Sequence, residues 1–124
     1  MNRDIEFRGL TGSVKRDIWV YGTPYKVESL FSADERYYIR NKHADERIVD
    51  PKTIGQYTGL KDKNGKKIFE GDIVKSKYGV FKSKVEWNDS FCGFFPFCNN
   101  DTGIFADECE VIGNIYENKE LLEG

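Results

Sequence analysis

Hydrophobic residues in this chain fall in short runs, several of them alternating with polar ones, and Gly, Pro, Asn and Asp separate the runs. That pattern predicts strands and tight turns rather than helices. Three runs open the chain: Ile5 to Phe7, Ile18 to Tyr21 and Arg36 to Arg40. In the first, Ile5 and Phe7 alternate with Asp4, Glu6 and Arg8, as in a strand with one buried face. Gly9 and Gly12 then loosen the chain, and Gly22 and Pro24 are expected to end the second strand. The polar stretch Asn41 to Arg47 lacks an apolar period and predicts a linker. A boundary near residue 49 follows, with an N-terminal β region over 1–49 and a second domain over 50–124.

Beyond that boundary the punctuation is denser. Asp50 and Pro51 open a turn, and Ile54 to Leu60 and Lys66 to Phe69 flank Asp62-Lys63-Asn64-Gly65. Asn-Gly suits the positive φ values of a two-residue type I′ turn, so a hairpin is expected. Gly71-Asp72 closes the run before Ile73-Val74. From Val80 to Trp87 the alternation predicts one half-buried strand, with Phe81, Ser83, Val85 and Trp87 on one face and Lys82, Lys84 and Glu86 on the other. Phe91 to Phe97 and Cys109 to Tyr116 add two apolar runs, and Asn118 is placed to cap a last turn bearing Leu121 and Leu122. Short strands joined by tight turns, with no crossover helix, predict an all-β chain whose C-terminal half is a small antiparallel barrel.

Composition agrees with that class. Of 124 residues, 39% are hydrophobic, 32% charged and 15% aromatic, with 9 Phe and 7 Tyr, too aromatic for a disordered chain. The segment MNRDIEFRGL is charged throughout, and no stretch approaches the ~20 apolar residues that span a bilayer. A cytoplasmic protein with no membrane partner is expected. Charge is unevenly spread: residues 51–84 carry nine Lys against Asp62, Glu70 and Asp72, whereas residues 85–124 carry Lys119 against nine acids. These opposed segments can pair within one barrel or between subunits.

The residues also resemble a known family. The opening MNRDIEFRG, the block Trp19-Val20-Tyr21-Gly22, the run Asp50 to Val74 and the ending Val111 to Asn118 are similar to those of the YopX family of phage and prophage proteins. The resemblance implies an SH3-type barrel in the C-terminal half, preceded by a smaller N-terminal β region. It implies no activity and supplies no catalytic residue. Asn88 to Asp107 falls outside the matched blocks.

The single imidazole, His43, lies in a polar loop, which is not the setting of a base beside a nucleophile. Glu70 and Asp72 are explained by the turn at Gly71. Cys92, Cys98 and Cys109 are separated by five and ten residues, unlike the short spacings of structural zinc sites, and are expected as reduced thiols. No catalytic, cofactor or metal residue is predicted, and the chain is expected not to be an enzyme. Two binding surfaces remain. Lys75, Lys77, Lys82 and Lys84, with Tyr78 and beside Tyr57 or Phe69, form a basic face suited to a nucleic-acid backbone. Phe91, Phe94, Phe95 and Phe97, around Gly93 and Pro96, are too many for one strand face. They are expected to dock on the N-terminal region or to form an interface with another subunit. The reading is a protein-binding, self-associating β module, with a small nucleic-acid-binding barrel as the alternative.

Overall fold

The computed structural model describes residues 5–12, 17–28, 30, 35–79, 81–98 and 104–122. Eleven strands run through the described residues. The segments Pro51–Thr53, Lys77–Gly79, Ala106–Glu108 and Lys119–Leu122 are 3-10 turns of three or four residues. The chain is therefore mostly β, as the short alternating runs predict. Among the described residues no helix is long and apolar enough to cross a membrane. Two compact units form, Asp4–Gln56 and Tyr57–Gly124, and the chain passes between them inside the fifth strand.

The N-terminal unit is built on β1 (Phe7–Leu10), β2 (Trp19–Glu28), β3 (Glu35–Arg40) and β4 (Glu46–Val49), antiparallel in the order β4-β3-β2-β1. Strand β1 begins at Phe7, opposite Gly22, and Ile5 stays 77% exposed. The residue buried in its place is Arg8, whose guanidinium lies 4.1 Å over the Trp19 ring. Strand β2 does not end at Gly22 and Pro24. Trp19 to Gly22 pair with β1, then Thr23 to Glu28 pair with β3. At the changeover the Arg40 carbonyl comes so close to Gly22 that no Cβ fits, and the backbone there has φ +155°. Pro24 stands where β1 has already ended, so one edge of the strand asks for no amide.

The expected linker is instead a β-hairpin. Asn41 Oδ1 accepts the amides of His43 (2.8 Å) and Asp45 (3.0 Å), and the Asn41 amide donates to the Asp45 carbonyl. These bonds reverse the chain within a polar stretch that has no hydrophobic period to advertise it. Ile39 and Val49 then pack over Gly9, with Ile54 beside them. Residues 50–56, grouped with the second domain by sequence, belong to this unit. Asp50 accepts the Lys52 amide at 3.0 Å, and the Thr53 hydroxyl donates to the Asp50 carbonyl and accepts the Leu10 amide. Gly55 and Gln56 pair with Arg8 and Phe7.

The C-terminal unit holds the rest of β5 (Gly55–Lys61) with β6 (Lys67–Phe69), β7 (Asp72–Lys75), β8 (Lys82–Lys84), β9 (Glu86–Asn88), β10 (Gly93–Phe95) and β11 (Glu110–Asn114). Its ladders are β5 with β6, β11-β7-β8 and β9 with β10. No closed barrel is present among the described residues; the strands are too short and end in separate ladders. They surround one core of Ile68, Val74, Val85, Phe94, Ala106 and Cys109, with Phe97, Ile104 and Val111 against it.

The hairpin at Asp62 forms, but not with a type I′ turn. Gly65 takes φ +80°, whereas Asn64 stays at negative φ. The Gly65 amide donates to the Asp62 carbonyl and the Asp62 amide to that of Lys66, closing a three-residue loop. The Asp62 carboxylate, accepting from Asn64 and Lys66, selects that longer loop. The run Val80 to Trp87 is likewise two strands rather than one, with Val80 outside the described residues. It breaks at Val85, whose amide donates to the Asp72 carbonyl and whose carbonyl accepts the Gly71 amide, both at 2.8 Å. Val85 thereby turns into the core and Trp87 emerges 48% exposed.

Candidate docking surface and lysine face

The lysine face takes its order from the β11-β7-β8 ladder. Lys75 stands directly opposite Lys82, and Lys84 lies two residues along β8 on the same side. Lys77 sits in the 3-10 turn Lys77–Gly79 that joins the strands. Tyr78 belongs to that turn, and its side chain lies outside the described residues. The face is not purely basic. Glu110 is the partner of Lys75 on its other flank, and Lys84 Nζ lies 3.3 Å from Glu86. Glu110 also meets Lys63 at 3.6 Å. The acidic C-terminal segment thus enters the basic middle of the chain within one unit. Tyr57 and Phe69, expected beside the lysines, are buried against each other with ring centroids 5.5 Å apart, because they face one another across the β5–β6 ladder.

The four phenylalanines separate. Phe94 is in the core, and its ring meets Trp87 edge-on with centroids 5.3 Å apart. Phe97 packs on the core from one side, and Phe95 is half-buried. Phe91 is 52% exposed in the turn between β9 and β10. Alternation in β10 sends Phe94 inward, and Phe91 precedes that strand.

A groove of about 530 Å³ opens in the same unit. Tyr57, Leu60 and Lys61 of β5 form one wall, and Phe97, Ile104 and Phe105 face them. Leu60 is 39% and Phe105 57% exposed, so the lining is apolar and open to solvent. Of these residues only Phe97 was singled out as an interface residue. Leu60 and Phe105 carried a signal, being apolar residues beside Gly59 and Ala106 in stretches with no clean period, but that signal does not say that the two stretches meet.

Asp62 and Asp72 serve structure. The Asp62 carboxyl accepts three backbone amides, from Asn64 (2.9 Å), Lys66 (2.9 Å) and Val111 (3.0 Å). Burial raises its pKa, but the three amides outweigh that and hold it below the ordinary carboxylate value. Asp72, 2% exposed, accepts the Phe69 amide at 2.8 Å across the Gly71 turn. Cys109 is buried, and burial pushes its thiol up, with Glu108 and Asp107 adding to the effect. Cys92 is exposed and Cys98 half-buried. His43 is on the exposed turn between β3 and β4. Among the described residues no cluster of three or more His, Cys, Asp or Glu is placed to hold a metal ion.

The chain is mostly β, its buried carboxylates Asp62 and Asp72 serve turns, and its open features include a basic strand pair and an aromatic groove. Its sequence matches the family described as YopX protein over residues 6–123, nearly its whole length, and the chain belongs to that family. No curated protein matches it.

Proposed function

We propose that the chain is a phage-type accessory protein without enzymatic activity, a protein-binding module of the host cytoplasm that associates with further copies of itself through its C-terminal unit. Kinship supports reading that unit's strands, from Tyr57 on, as an SH3-type arrangement, after an N-terminal β region that runs to Gln56. No cofactor or metal enters this reading.

One observation carries it. The C-terminal unit bears both halves of an apolar contact: Phe91, protruding from the β9–β10 turn, and the groove between Leu60 and Phe105. Phe91 is already half-buried, so two reciprocal contacts add at most ~3 kcal/mol, which the cost of association offsets, and the assembly is expected to be weak and concentration-dependent. Phe94 anchors the hairpin that presents Phe91, Phe95 stands half-buried next to Phe94 in β10, and Phe97 lines the groove. Light scattering on concentrated protein should give a mass above that of one chain and, for Phe91→Asp, that of one chain. A monomer in both cases removes the reading.

The Lys75–Lys82 pair favours a second one. Like charges directly opposed across a ladder cost stability, and a phosphate between them would offset that cost. On this reading Lys77, Tyr78 and Lys84 extend a nucleic-acid face. Binding to single-stranded or duplex DNA or RNA should then weaken steeply with salt and vanish in Lys75→Glu/Lys82→Glu. Binding that survives the charge reversal excludes this face.

A further inference from the structure

The N-terminal unit has a cleft of its own, of about 640 Å³, within the ~300–1,000 Å³ typical of small-ligand sites. We propose that it binds a nucleotide-class ligand, a planar aromatic ring joined to a phosphate. Three features of the cleft support that chemistry.

The first is aromatic. Trp19 and Tyr21 alternate along β2, so both rings project from the same side of the sheet into the lining. Tyr21 is 45% exposed, and Trp19 has the Arg8 guanidinium over its ring at 4.1 Å. That cation braces Trp19 from within the unit.

The second is charge. Arg40, Lys42, His43 and Arg47 line the cleft together with Glu6 and Asp45. Among the described residues Arg40 meets Glu46, whose carboxylate is 4.0 Å away with both side chains about half exposed. An exposed pair at that distance is worth at most ~1 kcal/mol and yields readily to a dianionic phosphate. Glu6 and Asp45 add acceptors for hydroxyl or amino hydrogens of a ribose and base. They also disfavour a peptide carrying several carboxylates, and the aromatic wall is more than bare phosphate needs.

The third is preorganisation. The 41–45 turn carrying Lys42 and His43 is held by the Asn41 side chain, by the Asn41 amide to the Asp45 carbonyl at 2.9 Å and by the Ala44 amide to the Asn41 carbonyl at 3.0 Å. Ala44 takes φ +66°, a left-handed conformation uncommon for a residue with a Cβ. On the facing strand, Gly22 lies against the Arg40 backbone. Cations and rings are therefore set on rigid elements before a ligand arrives, which lowers the ordering cost of binding.

The test uses the full chain with Trp87→Phe, leaving Trp19 as its one indole. Emission is followed while adenosine monophosphate, a short oligothymidylate or inorganic phosphate is added. A saturable change is expected with the mononucleotide or the oligonucleotide, and which of them binds tighter identifies the natural form of the ligand. Tyr21→Ala, and separately Arg40→Ala/Arg47→Ala, should weaken the midpoint at least ~10-fold, equivalent to 1.4 kcal/mol. Tyr21→Phe should retain binding, and circular dichroism shows whether each variant keeps its fold. No saturable change up to millimolar ligand overturns the proposal, as does a response that inorganic phosphate reproduces or that the variants leave unmoved. Self-association through Phe91 has its own readout, so either idea can fail without the other.

Discussion

The Asp62 carboxylate accepts the amide of Val111 at 3.0 Å across 49 residues of sequence. Its other oxygen accepts Asn64 and Lys66, so one side chain closes the β5–β6 hairpin and ties β11 to it. The Lys63 amide and the Cys109 carbonyl, 2.9 Å apart, repeat the tie on the backbone.

Asp62→Ala should therefore cost ~2–4 kcal/mol, because three backbone amides lose a charged acceptor at a buried position. A fall in melting temperature on the order of 10 °C is expected for a chain of this size. The dependence on pH has a definite sign. With its folded pKa below the ordinary 3.8, Asp62 contributes in full above that value and loses the contribution as pH falls through the lower, folded one. Thermal melts of the native protein and of Asp62→Asn should converge as acid is added. A gap that widens below pH 3.8 would show that the carboxylate is not the stabilising species.

Two glycines with positive φ should respond differently to alanine. At Gly65, φ +80° and nothing within 4 Å of a new Cβ leave only the left-handed conformation to be borne, ~1–2 kcal/mol. At Gly22 the Cβ also meets the Arg40 carbonyl, whose position the β2–β3 ladder fixes. Gly22→Ala should cost more than ~3 kcal/mol or prevent folding. Urea melts giving equal losses would contradict the close approach of β2 and β3.

The cysteines should label in order of exposure. At neutral pH iodoacetamide should modify Cys92 first, Cys98 more slowly and Cys109 only on unfolding, since burial and the carboxylates of Glu108 and Asp107 disfavour its thiolate. Peptide mass spectrometry over time reads the order directly. Early modification of Cys109 in native protein would argue against the core that surrounds it.

The sequence-based strands agree with the structure where local pattern and pairing coincide, and depart from it where a distant contact decides. Ile73-Val74 and the strands of the Asp62 hairpin were legible because turn residues bound short apolar runs there. Strand β2 was expected to stop at Gly22 and Pro24, since nothing local says that its partner changes there from β1 to β3. The β3–β4 hairpin was hidden because Asn41 and Asp45 turn the chain through polar contacts. Phe94 and Phe91 look alike in sequence, yet the β9–β10 ladder sends one inward and leaves the other at the tip. The groove was the least legible feature, because only the fold brings Leu60 and Phe105 to line the same opening.

Self-association is tested most directly by sedimentation equilibrium on three samples: Phe91→Asp alone, Leu60→Asp alone, and the two mixed in equal amounts. If Phe91 of one copy enters the groove of the next, each variant alone stays at the 14.4 kDa of a single chain. The mixture regains part of the native assembly, because an intact Phe91 on one partner meets an intact groove on the other. A native protein that remains a single chain at high concentration, or variants that assemble as the native protein does, would contradict the account.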